Sequence, residues 1–259
     1  MPATALSHFD QDVARAPAIV SHADPLPQNN DAERLLRSDL LRSAWMFAVG
    51  ALDAYVCDAD TDVVAATIIS KSRRPAIELP DWFHEIRFPV RAILEPYARN
   101  VNWRWRMAAR EMMARESVLS LSTVQTLFNK FFRDDQKFFG DSLLDAWITR
   151  PDSSRRRYGI NRTAYLALAP AGKADARRQA RRHFQEYYGN VFQRRHDCIH
   201  NCDRPRVAPQ PLDETGVVAN VIDDVDFLVR RCDEHVNAEL RHFLAGLGCP
   251  AAIIAQAGY

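Results

Sequence analysis

From Asp31 the chain reads DAERLLRSDLLRSAWMFAVGALDAYVCDA. Its apolar positions recur at three- and four-residue steps: Leu36, Leu40, Leu41, Ala44, Phe47, Ala48, Ala51, Leu52, Tyr55 and Val56. That spacing predicts a long helix buried over a wide face. DTDVVAATIISKS predicts a second helix, ended by the breakers in RRPAIELPDW. Further helices are expected over 90–118, over 122–133 with Ser122 as N-cap, and over 141–149. PDSSRRRYGI (151–160) reads as a loop, and the segment 151–172 is long enough to cover a cleft. A long helix should run from about Lys173 to Asn201. Pro205, Pro209 and Pro211 stop it, because proline supplies no backbone donor and clashes inside a helix. A last helix over 215–245 carries Val218, Val221, Ile222, Val225, Leu228, Val229, Cys232, Val236, Leu240 and Phe243 on one face. No alternating strand pattern is evident. The expected fold is all-α, an up-and-down bundle of long antiparallel helices. It would span 31–248, between a flexible N-terminal tail (1–30) and a short C-terminal tail (249–259).

Composition narrows the class. With 47% hydrophobic residues in 259, the chain can fill a core, and only 9 glycines argue against a turn-rich β fold. The five cysteines lack a framework spacing, and the N-terminus lacks a basic-then-apolar leader. A reduced, cytoplasmic, soluble chain is therefore expected, with no membrane partner. Net charge is only +1, but basic residues concentrate between Arg150 and Arg206, including Arg155–Arg157 and ARRQARRH (176–183). Such a run is a solvated helix face or a local positive field that draws phosphates. On the second reading, Arg177, Arg178, Arg181 and Arg182 form an RNA-binding wall, joined by Arg194. Trp103 and Trp105 could stack bases between arginines, although packing suits at least one of them better. Packing is also the default for His183, Phe184, Tyr187 and Tyr188.

The densest chemistry lies at 194–202, RRHDCIHNC. On a helix advancing about 100° per residue, His196 and His200 are separated by about 40° and share a face. Cys198 and Cys202 form a similar pair about 200° away, on the opposite side. A zinc site from all four is thus incompatible with a regular helix, and two neighbouring arginines repel a cation. The cysteines fit better as small core residues, and no metal or cofactor is called for. Phosphate chemistry remains. Histidine, with an ordinary pKa near ~6.5, serves as base or acid near neutrality. Arginine, always charged and forked, suits the non-bridging oxygens. Ordinary helix-end polarity is the plain alternative.

RRHDCIHNCDRP resembles the signature of HEPN-domain ribonucleases: an arginine, a polar residue, then a histidine, here Arg195, His196 and His200 in the R-x4-H form. LLRSAWMFAVGALDAYVCDA, closing on an aspartate and a tyrosine, looks like the first helix of the RiboL-PSP-HEPN branch. The resemblance covers roughly 33–245. It implies a homodimer with two motifs facing one cleft, acting as a metal-independent endoribonuclease of the toxin–antitoxin or anti-phage kind, with RNA as substrate and an antitoxin or regulatory protein as partner. Carried over, Arg195 would polarise the phosphate, His200 would transfer the proton, and His196 would position it or touch RNA. Attack by the 2′-OH would leave a 2′,3′-cyclic phosphate and a 5′-OH. Asn201 and Asp203 are candidates to orient the histidine, and Arg194 offers an alternative R-x5-H pairing. The alternative function is a non-catalytic nucleotide- or RNA-binding or protein-interaction module.

Overall fold

The computed structural model describes residues 3–94, 102–113, 120–201, 203, 212 and 214–257, with the side chains of 3, 4 and 201 excepted. Among them there is no strand, and the architecture is an all-α helical bundle. In chain order the helices are α1 (Ala3–Val13), α2 (Arg15–Ala23), α3 (Asp31–Arg73), α4 (Asp81–His84), α5 (Val90–Leu94), α6 (Trp103–Met113) and α7 (Leu121–Phe128). Then follow α8 (Asp141–Ile148), α9 (Arg155–Tyr158), α10 (Arg162–Leu166), α11 (Pro170–Asn201), α12 (Thr215–Gly246) and α13 (Ala251–Ala257). Two 3-10 turns, Asn129–Phe131 and Asp134–Gln136, join α7 to α8.

The axis of the molecule is α3, which contacts α1, α2, α6, α7, α11, α12 and α13. Its 43 residues span roughly 65 Å at 1.5 Å per residue. Asn30 caps it by accepting the Glu33 backbone N–H at 3.0 Å, while the Glu33 carboxylate accepts from the Asn29 N–H at 2.8 Å. Asp31 and Glu33 at the start and Lys71 and Arg73 at the end complement the helix dipole. One stretch of α3 is long and apolar enough to cross a membrane by length and composition, and 56% of it is buried inside the fold.

Three expectations are corrected here. DTDVVAATIISKS is not a separate helix but the last part of α3, and the buried acids at the expected boundary find partners on other helices. Asp58 pairs with His8 at 2.8 Å, and Asp62 accepts from Arg106 Nε at 2.6 Å. The N-terminal tail is instead two helices docked on α3, with Ala5, Phe9, Ala16 and Ala23 buried and Phe9 edge-on to Tyr55. The C-terminal segment likewise folds into α13, burying Ile254 and Ala257.

Nor is 151–172 a free cover. Within it, Arg156 and Arg157 of α9 bind Asp224 of α12, each at 2.5 Å, and Asp224 is fully buried. Tyr187 Oη of α11 donates to the same carboxylate. The cap of α7 is Ser120, which accepts from Thr123 N–H, rather than Ser122. The expected helix over 90–118 appears as α5 and α6, and residues 95–101 and 114–119 lie outside the described residues. Trp103 and Trp105 sit on α6, under the guanidinium groups of Arg106 and Arg104 respectively.

Candidate active site on the arginine–histidine helix

α11 is positioned by its aromatic face: Phe184 and Tyr188 are fully buried, and Tyr188 donates to the Asp224 carbonyl at 2.8 Å. Trp45 of α3 donates from Nε1 to the Val191 carbonyl at 3.0 Å, fixing the approach of the motif to the central helix. The last turns of α11 then run toward solvent, carrying RRHDCIHN.

His196 and His200 share one exposed face, their ring centroids 4.3 Å apart and their planes at 43°. Arg195 turns inward and is mostly buried; its Nη2 lies 3.9 Å from Asp53 Oδ2 of α3. Among the described residues no hydrogen bond or ion pair links Arg195 to either histidine. The structure therefore brings the two histidines together and holds the arginine beside them, on a separate acidic contact.

Asp203 has a different place from the one expected. It is fully buried in left-handed backbone (φ 53), and its N–H returns to the Asp197 carbonyl at 3.0 Å. Its Oδ2 accepts from Arg42 Nε of α3 at 2.8 Å and from Arg194 Nη2 at 2.7 Å. Asp203 thus ties the end of α11 to α3 and orients arginines instead of a histidine. Arg194, expected on RNA, is committed to that carboxylate and lies 5.9 Å over the Trp45 ring. Asn201 ends α11, and its side chain is outside the described residues, as is Cys202.

The basic wall is also partly neutralised. Arg177 faces Asp145 at 3.3 Å, Arg178 pairs with Asp175, and Arg181 pairs with Asp141. Arg182 is exposed and has no ion pair among the described residues. Asp141 and Asp145 come from α8 and are invisible to a reading of α11 alone, whereas Asp175 lies on α11 itself, three residues before Arg178.

Among the described residues no set of three His, Cys, Asp or Glu side chains is placed to hold an ion. Burial pushes the Cys198 thiol up, with Asp203 adding to the shift, and burial first, then Asp53, Asp60 and Asp58, raises Cys57 to about 12. Both therefore stay protonated and poorly nucleophilic at neutral pH.

Beside the histidines, a groove of about 610 Å³ opens between α11 and the first turns of α7. His196 stands on its rim, and Gln185, Gly189, Phe192 and Gln193 continue down the same face of α11. Sequence reasoning missed this groove and missed Asp53. An interior glycine at 189 and the aspartate of LDAYV were the available signals. No family model, curated protein or solved structure matches the chain.

Proposed function

We propose that the end of α11 is the centre of a metal-independent endoribonuclease, related to the HEPN family, acting on RNA in the cytoplasm in a toxin–antitoxin or anti-phage setting. The observation that carries this reading is the exposed His196–His200 pair, 4.3 Å between rings, with Arg195 held at Asp53 one position away. RNA brings its own nucleophile, so proton transfer and charge stabilisation suffice. His200 takes the 2′-OH proton as the 2′-oxygen attacks phosphorus. The bond from phosphorus to the 5′-oxygen breaks, and that oxygen receives a proton from an acid. Arg195 leaves its long contact with Asp53 to bind the non-bridging oxygens as charge develops.

In-line displacement places attacking and leaving oxygens on opposite sides of phosphorus. Two rings side by side on one face reach only one side. A second motif across a two-fold axis would supply the opposed histidine, which is why the reading includes a homodimer with the cleft at its interface. An antitoxin or regulatory protein covering that cleft would silence it.

One observation favours a second reading, a non-catalytic nucleotide- or RNA-binding or protein-interaction module: Arg195 is turned to Asp53 and bonded to neither histidine. Replacing the ribose at a mapped cleavage site with 2′-deoxyribose separates the two. The nuclease reading expects cleavage at that position to vanish while binding persists. Cleavage that survives the substitution would refute attack by the 2′-OH.

A further inference from the structure

The groove between α7 and α11 differs in chemistry from the motif it adjoins. Apart from His196 on its rim, no ionisable side chain among the described residues lines it. Its walls are amides and hydroxyls, and its floor is apolar, formed by Phe192 and Leu121. The arginine and lysine side chains that usually bind phosphate are absent from this lining among the described residues. Amides and hydroxyls, which both donate and accept, match the edges of a nucleobase, and an apolar surface beneath them matches its face. The volume lies within the range of about 300–1,000 Å³ common to sites for small organic groups.

Two details indicate which groups are available. Gln185 is exposed and has no hydrogen-bond partner among the described residues, so its whole amide is open. Gln125 donates from Nε2 to the Phe138 carbonyl at 2.8 Å, and Gln193 donates to Asp197 at 2.9 Å, which leaves the Oε1 atom of each as an acceptor. Gly189 is the second detail. It sits inside a 32-residue helix, where glycine is a poor helix former, and a Cβ added there would meet nothing within 4 Å. Local packing does not require glycine at that position; what its missing side chain leaves open is the wall of the groove.

We propose that this groove is a base-specific subsite, taking one unpaired nucleobase of the RNA next to the phosphate handled by Arg195 and His200. The inference rests on the ribonuclease reading and adds the source of its sequence preference. His196, which touches both His200 and the groove, joins the two sites and offers its ring for stacking.

The test uses single-stranded 2′-O-methyl oligonucleotides, which cannot be cleaved by 2′-OH attack, differing only in one central base. Fluorescence anisotropy on the full-length protein gives a Kd for each base. The subsite predicts that one base binds about tenfold tighter than the worst, the worth of one or two hydrogen bonds. Gln185→Ala and Gly189→Leu should erase that ranking while circular dichroism remains that of the wild type. Gly189→Ala, which adds one methyl group, should keep the ranking. Equal binding of all bases by the wild type, or a ranking unchanged in both Gln185→Ala and Gly189→Leu, would overturn the proposal. Because binding is read without cleavage, loss of the ribonuclease reading would show separately, as base-selective binding by a protein that cuts no unmodified RNA.

Discussion

Asp203 is a single residue on which two guanidinium groups depend. Arg42 and Arg194 both reach its Oδ2, with Arg42 and Asp203 buried. Removing one partner of a buried ionic cluster strands the others, at a cost of about 3–5 kcal/mol. Asp203→Ala is therefore expected to lower the urea-unfolding free energy by that amount, and a loss below about 1 kcal/mol would show that the cluster contributes little. Asp62 presents the opposite case. Burial raises its pKa to about 6 from the ordinary 3.8, in spite of Arg106 at 2.6 Å. The folded chain then binds a proton that the unfolded chain has released between about pH 4 and pH 6, so this group makes stability fall as pH rises across that window. Asp62→Asn should flatten the decline, measured as unfolding free energy at several pH values from 4 to 7. An unchanged slope in the variant would place the shift elsewhere.

Elements were legible in the sequence where one face alone decides burial. The stripe from Val218 to Leu240 became the buried side of α12, and α11 ends at Asn201, before the prolines. The i, i+4 histidines share a face as helical geometry requires. What could not be read depends on partners far along the chain. The boundary expected at Asp60 vanishes into one helix in which His8 meets Asp58 and Arg106 meets Asp62, and α1 is a weak pattern until Phe9 meets Tyr55. Arg195 facing Asp53, and the arginines of the basic run facing Asp141 and Asp145, are likewise contacts between helices that no local period encodes. The docking of α1 makes a direct prediction. Phe9→Ala should destabilise the whole domain by about 3–5 kcal/mol in a single cooperative transition, as for a core phenylalanine. A flexible tail would give no change in the denaturation midpoint.

At the scale of the whole molecule, a rigid bundle around α3 presents the end of one helix to solvent with its histidines exposed and its arginines anchored from beneath. The near-neutral charge and the paired basic run leave little general attraction for nucleic acid. Action on RNA would therefore depend on the motif and its groove more than on a diffuse positive field. Cleavage of a mixed tRNA and mRNA substrate in EDTA, by the wild type beside His200→Ala and Arg195→Ala, tests the account most directly. Cyclic-phosphate products are expected from the wild type, with losses of about 10²–10⁴-fold in rate for His200→Ala, the usual worth of a positioned acid or base, and a comparable loss for Arg195→Ala. Wild-type protein that is folded and dimeric yet leaves every RNA intact, or variants that cut as well as it does, would contradict it.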